Sequence, residues 1–201
     1  MVRPQIFLDF DGVLNVFPDS YQPTPIDYDL GFTPDCKQRV KLPEGRFTLR
    51  WSSVLAARLY ALADQTDLHW LSTWQPETDI LNQLLNWSPE KISTVTWYDP
   101  ISRKGIWTGK RDHIRNTITD NDLTPIVWVD DEECITIAQQ QLANLQPAAP
   151  ILMIRPDPRI GISQRQLLLI ERFVTDPTQF IGVQLDAETP NLFEPGNHLG
   201  F

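Results

Sequence analysis

The stretch Ile6-Phe7-Leu8-Asp9-Phe10-Asp11-Gly12-Val13-Leu14-Asn15 decides the fold. The run from Gln5 to Phe10 is apolar and β-prone. It stops at a carboxylate and is followed by Gly12, which lets the chain turn sharply. Runs of this kind recur. Pro125-Ile126-Val127-Trp128-Val129-Asp130 is apolar until Asp130 and Asp131, and Asp67-Leu68-His69-Trp70-Leu71-Ser72 ends in Ser72 and Thr73. Residues 92–98 and Ile151-Leu152-Met153-Ile154 are further strand candidates. Helical patterns lie between them. Trp51, Val54, Leu55, Arg58, Leu59 and Leu62 recur at helical spacing, and Pro76 suits the first turn of a helix carrying Ile80, Leu81, Leu84 and Leu85. Gly109 precedes a short helix over residues 112–118, a helix follows over residues 132–145, and Ser163 can cap one bearing Leu167, Leu168, Ile170, Glu171 and Phe173. Nearly all-apolar strands alternating with helices predict an α/β fold, a three-layer Rossmann-like parallel sheet with helices on both faces.

Composition bounds what such a chain can do. Its 201 residues are 41% hydrophobic and 21% charged, which suits one domain over residues 1–201 and argues against disorder. Residues 15–45 hold several prolines and little periodicity, so residues 16–50 read as a flap or small insert after the first strand, with a hairpin near Arg39-Val40-Lys41-Leu42. The weakly patterned tail, about residues 184–201, reads as a C-terminal surface extension. Seventeen Lys and Arg against 26 Asp and Glu give a net charge of −9, so stable nucleic-acid binding is not expected, although a local basic groove is compatible with it. Two cysteines, Cys36 and Cys134, are too few for a disulfide framework and predict reduced thiols in a cytoplasmic setting. The opening MVRPQIFLDFDG has no apolar run leading to a small-residue cleavage site, and no stretch has the length of a membrane span. No Cys/His pattern suggests zinc, and no Walker or dinucleotide fingerprint is present.

In open parallel sheets, ligands sit beyond the carboxyl ends of the strands. Two apolar strands that stop at carboxylates bring like charges to that place, where each would shift toward the neutral acid. A divalent cation removes the conflict, and Mg²⁺ takes oxygen ligands of this kind together with a substrate phosphate. Asp9 and Asp11 lie two apart, so in an extended segment they point to the same side. One can attack as a nucleophile and the other can handle the proton. The turn at Gly12 lets backbone N–H groups face a phosphate, and Phe10, Gly12 and Thr73 are the substrate-binding candidates.

The sequence Ile6-Phe7-Leu8-Asp9-Phe10-Asp11-Gly12-Val13-Leu14-Asn15 resembles the first motif of the haloacid-dehalogenase-like (HAD) phosphohydrolase superfamily. The other motifs follow in order: a strand ending in Ser72, a Lys near a helix start at Lys110 in Trp107-Thr108-Gly109-Lys110, and an apolar strand ending in Asp130-Asp131. Arg155-Pro156-Asp157-Pro158, Gly161-Ile162-Ser163 and the Ser72-Thr73-Trp74 environment look like a small subgroup related to HAD domains of RNA-repair proteins. The resemblance implies a Mg²⁺-dependent phosphoric monoester hydrolase working through an aspartyl-phosphate. Asp9 would be nucleophile and metal ligand. Asp11 would be the general acid/base and offer its backbone carbonyl to the metal. Ser72 would bond a phosphoryl oxygen, Lys110 would neutralise charge, and Asp130 and Asp131 would complete the metal site. Thr73 competes with Ser72, and Lys104 with Lys110. The spacing leaves no room for a large cap, which implies an open site admitting a bulky phosphorylated substrate such as a polynucleotide end or protein, while a small metabolite is also compatible.

Other residues carry two readings. Asn15 either holds the turn or tolerates an unusual backbone angle. Trp74 either stacks on a base or sugar or is a core aromatic. His69 reads as a packed histidine, His113 as a solvent-facing helix residue, Cys134 as a small buried hydrophobe, and Glu132 and Glu133 as helix-start charges. Arg39, Lys41, Arg46 and Arg50 either attract an anionic substrate or form a solvated basic face. The alternative to catalysis is a silent HAD-like binding or regulatory module, against which the intact Asp9, Asp11, Lys110 and Asp130 argue.

Overall fold

The computed structural model describes residues 2–18, 27–43, 45–99, 101–102, 104, 109–121 and 123–188. Among them, six strands form one parallel sheet. The strands are β1 (Gln5–Leu8), β4 (Asp67–Trp70), β5 (Ile92–Thr94), β6 (Ile126–Val129), β7 (Ile151–Arg155) and β8 (Val183–Ala187), in the order β5-β4-β1-β6-β7-β8. Strands β1 and β6 lie at the centre, which is why both read as continuous apolar runs: each of their faces is covered.

The pleat divides the core in two. Ile6, Leu8, Leu68, Trp70, Val127, Val129, Leu152 and Ile154 point to one face. There they pack against α1 (Ser53–Ala61), α2 (Thr78–Leu85) and α5 (Gln164–Thr175) through Leu55, Leu59, Leu81, Leu85, Leu167, Ile170 and Phe173. Phe7, Ile126, Trp128, Ile151 and Met153 point to the other, against α3 (Gly109–Asp120) and α4 (Thr136–Ala143) through Ile114, Ile118, Ala138 and Leu142. Caps fix two helices on the first face. The Ser52 hydroxyl accepts from the Leu55 N–H at the start of α1, and Ser163 forms a reciprocal capping box with Gln166 at the start of α5.

The expected hairpin is present and longer than its sequence signal. Strands β2 (Cys36–Leu42) and β3 (Gly45–Trp51) pair antiparallel, and one side of the ribbon lays Cys36, Val40, Leu42, Leu49 and Trp51 on the first core. Residues 19–26 and 44 of the expected flap lie outside the described residues, as do residues 105–108 and 189–201.

Three expectations need correction. The helix expected over residues 132–145 begins only at Thr136, because the Asp130 carboxylate accepts the Glu132 and Glu133 N–H groups and holds a turn there. Glu132 and Glu133 are therefore not helix-start charges. The helix expected over residues 112–118 begins one turn earlier, at Gly109. The extension expected from about residue 184 instead adds the outer strand β8, paired along β7 from Ile151 to Arg155. No helix among the described residues is long and apolar enough to cross a membrane.

Candidate active site

The order β4-β1-β6 sets three strand ends side by side, and each delivers one polar side chain. The Asp9 N–H donates to the Val129 carbonyl (2.9 Å), the Asp130 N–H to the Ile154 carbonyl (3.1 Å) and the Leu71 N–H to the Leu8 carbonyl (2.8 Å). The sheet ladder thus continues to the point where Asp9, Asp130 and Ser72 turn inward, and all three are buried. Carboxylate oxygens of Asp9, Asp130 and Asp131 lie within 4.8 Å of one another.

One ammonium joins this group. Lys110 Nζ donates to Asp9 Oδ2 and, at 2.8 Å, to Asp130 Oδ2. The Lys110 side chain is only 8% exposed, and its Nζ stands 5.7 Å from the centre of the Trp97 ring. Gly109 makes this approach possible: a Cβ there would lie 2.4 Å from the Trp97 carbonyl oxygen. Lys104, the competing lysine, is exposed and apart from the cluster, its N–H donating to the Ser102 hydroxyl.

The electrostatics follow from crowding. Burial pushes the Asp9 carboxyl up to about 6, Lys110 pulls it back, Asp130 adds to the rise, and a hydrogen bond with the Ser72 side chain helps the charged form. Burial, then Asp130, Asp9 and Glu132, push Asp131 up to about 9. Burial opposes the charge on Lys110, but Asp130 and Asp9 outweigh it and hold the ammonium well above its ordinary value. Ionising all three carboxyls against one ammonium would leave negative charge uncompensated in a largely dry place, and the rise at Asp131 expresses that conflict. The donors are all hard oxygens, so the set fits a divalent cation such as Mg²⁺, with Asp9, Asp130 and Asp131 as the side chains that would hold it.

Asp11 is positioned differently. Its carboxylate lies outside the acidic trio. Asn15 Nδ2 donates to Asp11 Oδ1 (2.7 Å) and the Trp74 indole N–H donates to Asp11 Oδ2 (2.9 Å). Both open readings of these partners are thereby resolved. Asn15 holds the turn, its own Oδ1 accepting the Arg50 N–H at 2.8 Å. Trp74 is a buried aromatic, set edgewise on Phe10 and Phe47, whose polar edge reaches the site.

Gly12 makes the sharp turn expected of it, but its own N–H is taken. Its N–H donates to the Asn15 carbonyl (2.9 Å) and so does not face a phosphate. What it supplies is room and a positive φ of 69°: a Cβ there would lie 2.2 Å from Asp131 Cγ. The Phe10 N–H likewise donates to Asp9 Oδ1 (2.7 Å), and its ring is buried. Thr73 is exposed, while the neighbouring Ser72 is buried, its hydroxyl accepting the Trp74 N–H at 3.3 Å. The remaining candidates stay structural. His69 stacks on Phe7, and the half-buried His113 meets the same ring in an edge-to-face contact. Cys134 is buried, its thiol pushed well up by burial.

Sequence reasoning missed Trp97, Gln75 and Tyr98. Gln75 Oε1 accepts the Trp97 N–H (2.7 Å), the Trp97 indole N–H donates to the Ser72 carbonyl (3.0 Å), and the Tyr98 hydroxyl donates to the Thr73 carbonyl (3.0 Å). These bonds tie the segment after β5 to the end of β4. No periodicity marks them.

A family model described as the HAD domain in Swiss Army Knife RNA repair proteins matches residues 5–167, more than half of the chain and a span that contains Asp9, Ser72, Lys110 and Asp130. No curated protein and no solved structure matches.

Proposed function

The chain belongs to the family of HAD domains in Swiss Army Knife RNA repair proteins, and from that premise we propose that it is a Mg²⁺-dependent phosphatase acting on a phosphomonoester at a polynucleotide end through an aspartyl-phosphate. The observation that carries the reading is Lys110 set between Asp9 and Asp130 where the central strands end. Phosphoryl transfer needs positioned groups and compensated charge, and this cluster supplies both.

Asp9 attacks phosphorus as the carboxylate. Its burial favours the neutral acid, and Lys110 opposes that, keeping the nucleophile charged. The leaving oxygen takes a proton from Asp11, and the ester bond breaks as the bond to Asp9 forms. In the second step water attacks phosphorus, Asp11 takes the proton from that water, and inorganic phosphate and free Asp9 result. Ser72, one strand over, is placed to bond a phosphoryl oxygen. A bound divalent cation would supply charge compensation to the phosphoryl oxygens. The substrate class is supported by the family's description and by the absence, among the described residues, of a folded cap between β4 and α3.

The test is phosphate release from an aryl phosphate and from terminally phosphorylated oligonucleotides, with Mg²⁺ and with chelator. Turnover is expected only with the metal. Asp9→Asn is expected to reduce it to background, and Asp11→Asn to reduce kcat by about 10²–10⁴-fold. Turnover that survives Asp9→Asn overturns the nucleophile. No turnover on either substrate class points to the silent binding module.

A further inference from the structure

The β2–β3 hairpin has two unlike faces. Its register sets Lys37 opposite Arg50, Arg39 opposite Thr48 and Lys41 opposite Arg46. Residues at these positions share one face, and the apolar set shares the other. That basic face holds five of the chain's 17 Lys and Arg, and neither strand contains an acidic residue. Among the described residues, Lys37, Arg39, Lys41 and Arg46 form no ion pair, and all four are exposed.

Two features make this more than a solvated surface. Lys37–Arg50 and Lys41–Arg46 are like charges directly opposite each other, an arrangement that weakens a two-stranded ribbon. In a protein of net charge −9 such a concentration of cations is a local reversal of the overall field. The hairpin is also joined to the site. The Arg50 N–H donates to Asn15 Oδ1 and Asn15 donates to Asp11, while Phe47 meets the edge of Trp74, whose indole N–H donates to Asp11.

We propose that the outward face of this hairpin is a track for the phosphodiester backbone of a single-stranded polynucleotide whose phosphorylated end enters the Asp9 site. It rests on the reading of the substrate as a polynucleotide end. Same-face side chains recur about every 6.8 Å along a strand, a spacing at which Lys37, Arg39 and Lys41 meet successive phosphates of an extended chain. Lys and Arg supply charge without base readout, so binding on this face is indifferent to sequence and strongly salt-dependent. The overall negative charge repels any strand not held there.

The test measures binding of a short fluorescent single-stranded RNA with a terminal phosphate to the whole chain, by anisotropy, in chelator so that no turnover intervenes. Affinity is expected to fall steeply between about 50 and 200 mM salt. The variant Arg39→Gln/Lys41→Gln/Arg46→Gln is expected to bind about tenfold or more weakly at low salt. Its log–log salt slope should be smaller by about 2, from about 0.7 for each lost phosphate contact. The same variant should melt no lower than the parent, because one like-charge pair is gone, so weaker binding does not report unfolding. Equal affinity and slope in the variant overturn the proposal, as does no binding by the parent chain, or tighter binding to vesicles of anionic lipid than to RNA. Phosphatase turnover fails or succeeds separately: its absence on both the aryl phosphate and the phosphorylated oligonucleotides sinks the phosphatase reading and leaves the binding result standing.

Discussion

Asp131 shows at a single residue how the site is built against the stability of the fold. Its folded carboxyl, pushed up to about 9, binds a proton far more readily than an unfolded one near 4. Its penalty on folding is therefore absent below about pH 4 and grows as the pH rises through about 9. In chelator at about pH 8, Asp131→Asn is expected to raise the melting temperature, at roughly 2–4 °C per kcal/mol recovered. Mg²⁺ should raise that of the parent more than that of the variant. Thermal melts across pH, with and without metal, check both signs, and a variant that melts lower in chelator would show that the carboxylate is compensated in some other way. Trp74→Phe keeps the ring against Phe10 and Phe47 but removes the donor to Asp11. It is expected to lower kcat about tenfold with little change in KM. Steady-state kinetics that show KM rising at constant kcat would assign Trp74 to substrate binding instead.

Among the elements, the strands covered on both faces were the most legible, and of the two edge strands only β5 was. The strands β1, β4, β6 and β7 announce themselves because a covered parallel strand is apolar along its length. β8, with the sequence Val183-Gln184-Leu185-Asp186-Ala187, is an edge strand only half covered, and its mixed pattern resembles a tail. The start of α4 was hidden for another reason. The residues after Asp130 are good helix formers, but the Asp130 side chain takes their N–H groups first. In the site, the carboxylates and Lys110 were legible because strand ends and a helix start position them. Trp97 and Gln75 were not, since Trp97 meets Ser72, Lys110 and Gln75 only because β5 lies beside β4. The cap of α5 was legible from Ser163, its partner Gln166 was not, and both are fully buried. Ser163→Ala is expected to destabilise by about 1–2 kcal/mol, a loss that a denaturant midpoint would register. A midpoint within error of the parent would mean that the bond from Ser163 to Glu188 and the cap contribute nothing net.

At the scale of the whole molecule, β8 completes the sheet and covers the outer edge of β7. Gln139 on α4 donates to the Val183 carbonyl, and Arg165 on α5 pairs with Asp186, so one short strand is tied to a helix on each face. A chain ending before Val183 is expected to melt at lower temperature and to aggregate, since it exposes an apolar strand edge. Light scattering on heating reads this directly, and a truncated chain that stays monomeric with an unchanged melting curve would show that β7 is a sufficient edge.

The two indoles beside the site make the protein its own optical instrument. Trp97 lies over the Lys110 ammonium and Trp74 donates to Asp11, so the emission of both depends on where those charges stand. A cation that drew Asp9 and Asp130 away from Lys110 would shift that emission in an unlabelled sample. Metal affinity then becomes readable from a cuvette titration, before any substrate is known, and Trp97→Phe should remove the larger part of the signal.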